Sequence, residues 1–91
     1  MNANYAIRNE SLYDIVVIME EDKKKTCKIP PNGEVSFKSH ALERPDFRVY
    51  EAEAKEGEEP RMLTSKTAGP LDSIAASAIS VTYVFDGSRL N

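Results

Sequence analysis

The sequence predicts an all-β protein: a small antiparallel β-sandwich of two sheets, immunoglobulin-like in architecture, with six or seven strands and room for one short helical turn. Three observations support this prediction. Residues 78–86 alternate between apolar and polar side chains, residues 13–20 are rich in β-branched side chains, and turn-forming Pro, Gly and Asn residues separate the short extended stretches. The 91 residues suffice for a single domain, which spans 1–91.

The clearest strand is 78–86, "AISVTYVFD", because apolar and polar residues alternate along it, with Val84 the exception. One face carries Ile79, Val81, Tyr83 and Phe85. The pattern is typical of a strand with one buried face. The strand has few charges, so if it lies at the edge of a sheet it could accept a partner strand.

Residues 13–20, "YDIVVIME", are apolar on both faces, which predicts a central strand covered on both sides. The preceding stretch, 4–9, places Tyr5 and Ile7 on one face. We expect it to pair with 13–20 as a hairpin through the polar link 10–12.

A charge block and two turn signals follow, in "IMEEDKKKTCKIPPNG" (18–33). The double proline and Asn-Gly at 30–33 predict a turn in which glycine tolerates a positive φ. Lys24 and Lys25 are typical of residues that protect the edge of a strand at 24–29. Cys27 lies two residues from Ile29 and so on the same face of the strand, and we expect it to be buried and unreactive. As the only cysteine, it forms no internal disulfide.

The segment 44–60 fits two structures. As a helix, it would begin near Pro45 and end at Gly57; as a strand, Phe47 and Val49 would face the core. We favour a strand over 45–56, because every clearer element is extended. Residues 69–77 could hold one helical turn as a covering connection.

The composition excludes several classes of partner and of site. The net charge of −3 and the pI near 5.1 provide no general attraction for nucleic acid. The longest apolar run, 15–19, is too short for a transmembrane segment or a signal peptide, which predicts a cytoplasmic protein. The four glycines never cluster, so no phosphate-binding loop and no cofactor are expected.

Catalytic residues are not expected. The only histidine, His40, lies thirteen residues from Cys27, and nothing in the sequence brings the two side chains together or supplies an oxyanion hole. The acidic residues lie mostly in exposed runs, where a carboxylate keeps its ordinary pKa. We therefore predict that the protein is not an enzyme.

An acidic segment is the candidate for binding a metal ion. Five glutamates could offer oxygen ligands to Ca²⁺: Glu51, Glu53, Glu56, Glu58 and Glu59. The spacing is not that of an EF-hand, and the shorter Asp ligand is missing from the segment. A solvated hairpin tip without a metal is the favoured interpretation.

These observations favour a non-enzymatic interaction module that binds a protein partner, or self-associates into a homo-oligomer, through a sheet edge or a loop end. The candidate interaction residues are Lys23, Lys24, Lys25, Glu56, Glu58 and Glu59. One alternative is a membrane-lipid-binding, cytolysin-like small sandwich, which should expose Tyr and Phe at one loop end. Another is an immunity or inhibitor protein whose acidic loop, 51–59, mimics a negatively charged ligand.

Overall fold

A computed structural model shows seven strands in two sheets, and the residues that it describes form no helix. The described residues are 2–20, 24–40, 44–54, 56–68 and 79–91, with the backbone alone described for Asn2, His40 and Ile79. The strands are β1 (Asn2–Asn9), β2 (Ile15–Glu20), β3 (Lys24–Ile29), β4 (Glu34–His40), β5 (Asp46–Glu51), β6 (Met62–Thr67) and β7 (Ile79–Phe85). The described residues contain no helix that is long and apolar enough to cross a membrane.

The two sheets face each other across one apolar core, which confirms the predicted β-sandwich. The first sheet has the order β4-β1-β7 and the second β3-β2-β5-β6. Every pairing is antiparallel except β1 with β7, which is parallel. Sheets of three and four strands also occur in immunoglobulin constant domains, but the order of the strands here is different.

Strand alternation builds the core, because every second residue of a strand points to the same face. Tyr5 and Ile7 of β1 share one core cluster with Val17 of β2 and Phe47 of β5, and all four are fully buried. The ring centroids of Tyr5 and Phe47 lie 5.4 Å apart in a tilted arrangement. Burying a side chain of this size stabilises the fold by about 1.5–3 kcal/mol, so these contacts between the sheets hold the sandwich together.

The predicted hairpin between 4–9 and 13–20 is wrong. β1 pairs with β4 and β7, and β2 pairs with β3 and β5, so residues 10–14 cross from one sheet to the other. The predicted hairpin and the observed pairing require the same apolar pattern in β1. In either sheet, Tyr5 and Ile7 would face the core. Periodicity identifies the buried face of a strand but does not choose its neighbour.

The strand β2 is central in its sheet, as predicted, but the described structure covers only one of its faces. Ile15, Val17 and Met19 are buried, whereas Val16 and Ile18 are half-buried on the outer face. Cross-strand neighbours provide this partial cover, since Val16 lies opposite Tyr50 and Ile18 opposite Arg48. Within the described residues, the outer face of β2 is therefore covered by cross-strand neighbours and remains half-buried.

The turn at 30–33 is confirmed, with one difference in detail. The Gly33 N–H donates to Pro30 O at 2.9 Å, and Asn32, not Gly33, adopts the positive φ of 63°. This geometry is that of a type II turn with Asn at the third position. Gly33 is needed for space, because a Cβ atom there would lie 2.9 Å from Pro30 Cδ. The turn joins β3 to β4 in the facing sheet.

The ambiguous segment contains the strand β5, with Phe47 and Val49 buried as predicted for a strand. The suggested helical turn at 69–77 lies outside the described residues. The backbone of His40 belongs to β4, opposite Asn2, so the strand runs one residue further than expected.

Candidate functional site

A groove of about 810 Å³ lies at one end of the sandwich, and we call it the loop-end groove. Three segments form most of its lining: the β1–β2 loop with the first residue of β2 (10–15), the end of β5 with the residues after it (51–53), and the end of β7 with the turn that follows it (85–87). Pro31, Arg61 and Leu63 complete the lining. The groove combines loops from both sheets, so only the folded chain forms it.

The buried side chain of Asn9 holds the β1–β2 loop in place. Its Nδ2 donates to Tyr13 O at 2.7 Å and to Ile29 O at 3.1 Å. Its Oδ1 accepts from the Ser11 N–H at 2.9 Å and from the Ser11 hydroxyl at 2.6 Å. One side chain thus ties the end of β1 to the loop and to the end of β3.

Sequence reasoning missed the role of Asn9. The alternation of the strand could have indicated it. Asn9 continues the inward-facing series of Ala3, Tyr5 and Ile7, and is therefore a polar residue at a core position. A buried amide needs several hydrogen-bond partners, so its position predicts an organised loop next to it.

The β1–β2 loop presents two large apolar side chains to solvent. Leu12 is 84% exposed and Tyr13 is 76% exposed, although both residues lie in a loop whose backbone is hydrogen-bonded to Asn9. Adjacent exposed apolar side chains on an ordered loop are typical of binding surfaces. Sequence reasoning treated 10–12 as a polar link and overlooked this pair.

The loop-end groove is strongly acidic. Its lining includes five carboxylates and one guanidinium, those of Glu10, Asp14, Glu51, Glu53, Asp86 and Arg61. Asp14 has a neighbour outside the lining, since Lys28 Nζ lies 3.6 Å from its Oδ2. Among the remaining acids, Glu51 Oε1 accepts a hydrogen bond from the Arg61 backbone N–H at 3.3 Å.

Asp86 organises the turn after β7. Its Oδ1 accepts from the backbone N–H groups of Ser88 at 2.8 Å and Arg89 at 2.9 Å, and its Oδ2 accepts from Asn91 Nδ2 at 3.0 Å. The bonds from Arg89, Ser88 and Asn91 lower the pKa of Asp86 below its ordinary value. This carboxylate is therefore ionised and fixed in position at neutral pH.

The candidate acidic residues divide between the groove and the nearby surface. Glu51 and Glu53 line the groove, while Glu56, Glu58 and Glu59 are exposed on the connection between β5 and β6. Within the described residues, no three His, Cys, Asp or Glu side chains converge in a way that could hold a metal ion.

The two described candidate lysines, Lys24 and Lys25, lie apart from the candidate glutamates. Lys23 is outside the described residues, and Lys24 Nζ lies 3.2 Å from Glu20 Oε1 at the opposite end of β2 from the groove. Lys25 Nζ donates to Lys38 O at 2.9 Å, across the edges of β3 and β4. Lys24 itself is exposed, so this ion pair contributes at most about 1 kcal/mol. Lys24 and Lys25 thus lie on β3 at the edge of its sheet, as predicted.

Cys27, the thiol of the Cys27–His40 pair, is not part of the groove. Cys27 is half-buried against the core, not fully buried as expected, and it lies on β3 outside the groove lining. The Ser11 hydroxyl faces the Asn9 amide and no described base. The side chain of His40 is outside the described residues.

The strand β7 lies at the edge of its sheet, which makes it the second candidate surface. The end of this edge is already occupied: the Val84 N–H donates to Asn91 O at 2.9 Å, and the Asn91 N–H donates to Val84 O at 2.8 Å. Because alternate residues direct their backbone groups to the same side, only Ser80 and Thr82 direct theirs outward along the rest of the strand. The available edge is short.

A scan of protein-family models, a search of curated proteins and a search of solved structures each found no match. The function is therefore inferred from the geometry of the two candidate surfaces.

Proposed function

We propose that this protein is a non-enzymatic binding module that contacts a protein partner through the loop-end groove. The observation that supports this function is the exposure of Leu12 and Tyr13 on an ordered loop at the rim of the groove. Covering two such side chains removes apolar surface from water, at about 25 cal/mol per Å². Tyrosine is also among the residues that most often dominate the free energy of an interface.

The hydrogen bonds of Asn9 favour binding by lowering its entropic cost. Association loses free energy when flexible loops and side chains become ordered. Here the backbone of the loop is already fixed, since the Asn9 amide and the Ser11 hydroxyl both lie within hydrogen-bonding distance of Tyr13 O. A partner would therefore meet an arranged surface.

The geometry favours the loop end over the sheet edge. A strand added to β7 would find outward backbone groups only at Ser80 and Thr82, because the C-terminal residues already bond to Val84. The loop-end groove offers a larger surface with both apolar and charged groups.

A membrane-lipid binder is the second candidate, and it is favoured by the same exposed pair. Leu12 and Tyr13 fit the expectation of apolar and aromatic side chains at one loop end. The carboxylates of the groove oppose it, because they repel the anionic headgroups that attract peripheral proteins. An acidic immunity or inhibitor protein is a special case of the protein-binding proposal.

The test compares two variants with the wild-type protein. Leu12→Ser together with Tyr13→Ser removes the exposed pair, and Met62→Ser is the matched control because Met62 is 50% exposed outside the groove lining. Each protein is immobilised and incubated with its native lysate, and the captured proteins are quantified by mass spectrometry. We expect a protein captured by the wild type and by Met62→Ser, and reduced at least about 10-fold with the double variant.

Two results would contradict the proposal. Equal capture by the wild type and the double variant would show that the loop-end groove is not the interface. Co-sedimentation with phosphatidylcholine vesicles that the double variant loses, without such a captured protein, would favour the lipid candidate. Circular dichroism spectra of the variants confirm that they remain folded.

A further inference from the structure

The loop-end groove concentrates the negative charge of the molecule. Its five carboxylates and one guanidinium give the lining a formal charge of −4, and since the whole chain carries −3, all residues outside the lining sum to +1. A concave site of one sign raises the local concentration of ligands of the opposite sign. The lining of the groove is therefore more negative than the sum of all other residues of the chain.

Some carboxylates of the groove are held by hydrogen bonds within the protein, and others are available to bind a ligand. Asp86 is fixed by three hydrogen bonds, and Glu51 accepts one from Arg61. No hydrogen bond or ion pair to a described residue engages the carboxylates of Glu10 and Glu53. A carboxylate accepts several hydrogen bonds, so these two are the groups in the groove best able to receive donors from a ligand.

From this arrangement we propose that the groove binds a cationic segment of a protein, one with arginine or lysine side chains beside an apolar residue. This inference rests on the proposed function and names the chemistry of the partner. The charged heads would lie near Glu10 and Glu53, and their apolar stems would pack against Leu12 and Tyr13. An arginine over the exposed ring of Tyr13 would add a cation–π contact, as Lys66 does over Tyr83 at 5.2 Å.

The test uses two synthetic peptides as probes. The first has nine residues with four arginines around a central leucine, and the second replaces each arginine by neutral citrulline, which has a similar shape. Each is titrated into ¹⁵N-labelled protein and followed by NMR. We expect the arginine peptide to shift the amide signals of 10–14, 51–53 and 86–88, and the citrulline peptide to bind at least about 10-fold more weakly.

Variants of the protein locate the interaction. Glu10→Gln together with Glu53→Gln should weaken binding of the arginine peptide about 5–10-fold, and 300 mM salt should weaken it further by screening. Glu34→Gln is the matched control, because Glu34 is exposed and lies outside the groove lining. It should change the affinity by less than about 2-fold.

Several outcomes would overturn the inference. These are equal binding of the two peptides, no binding of either peptide, or binding that the double glutamine variant leaves unchanged. Preferential sedimentation with vesicles containing phosphatidylserine would also overturn it, because the ligand would then be anionic. If lysate capture depends on Leu12 and Tyr13 but on neither Glu10 nor Glu53, the proposed function remains and the cationic partner is excluded.

Discussion

Two turns at the loop end use the same local hydrogen bond in different surroundings. In the β1–β2 loop, the Ser11 N–H donates to Asn9 Oδ1; after β7, the Ser88 N–H donates to Asp86 Oδ1 two residues back. The two turns lie side by side, since Asn9 is the register partner of Phe85. Asn9 is fully buried, whereas Asp86 is exposed.

From this comparison we expect burial, more than the local motif, to determine what such a turn contributes to stability. Removing Asn9 takes a donor from the buried Ile29 O, and losing a buried partner costs more than breaking the same kind of bond in solvent. The Asn9 turn also reaches the end of β3 through Ile29 O. The Asp86 carboxylate accepts its hydrogen bonds from Ser88, Arg89 and Asn91, all within the C-terminal residues 86–91.

Asn9→Ala is expected to have the largest effect on the free energy of unfolding. It removes the donors to Tyr13 O and Ile29 O, so the free energy of unfolding should fall by about 2–3 kcal/mol in urea denaturation. Asn9→Asp should cost at least as much, because it removes the same donors and places a charge in the core. A loss below about 1 kcal/mol for both variants would show that burial does not distinguish the two turns.

Ser11→Ala and Ser88→Ala should differ by a smaller amount in the free energy of unfolding. The Ser11 hydroxyl donates to Asn9 Oδ1, so its removal should lower the free energy of unfolding by about 1 kcal/mol. Ser88 contributes its backbone N–H, which alanine retains, and the change should stay within about 0.5 kcal/mol. Equal losses in thermal or urea unfolding would contradict the comparison.

The smallest effect concerns the charge of Asp86. Because its pKa in the folded state is lowered, the contribution of its carboxylate is complete above the ordinary value of 3.8 and is lost as the pH falls through the lower folded value. Asp86→Asn removes this titration. The difference in unfolding free energy between the wild type and Asp86→Asn should therefore be constant near neutral pH and decrease below about pH 4. A difference that grows on acidification would reverse the sign of the linkage.

The strands were largely predictable from the sequence, and the groove was not. Alternation identified β7, and β-branched residues identified β2, because both signals depend on residues close together in the chain. The acidic residues Glu51 and Glu53 were recognised as candidates, but their neighbours in the groove, Leu12 and Asp86, were not. Those residues are far apart in sequence, and only the folding of two sheets onto each other brings them to one end.

By itself, the sequence determined the fold class, the turn at 30–33 and the buried faces of the strands, because these follow from side-chain periodicity and local backbone sterics. The tertiary structure alone decided that β1 pairs with β4 and β7, and that Asn9 is buried with its bonds satisfied. Strand neighbours depend on long-range backbone hydrogen bonds that any strand can form. The groove depends in turn on those neighbours, so its shape and its charge are properties of the packed sandwich.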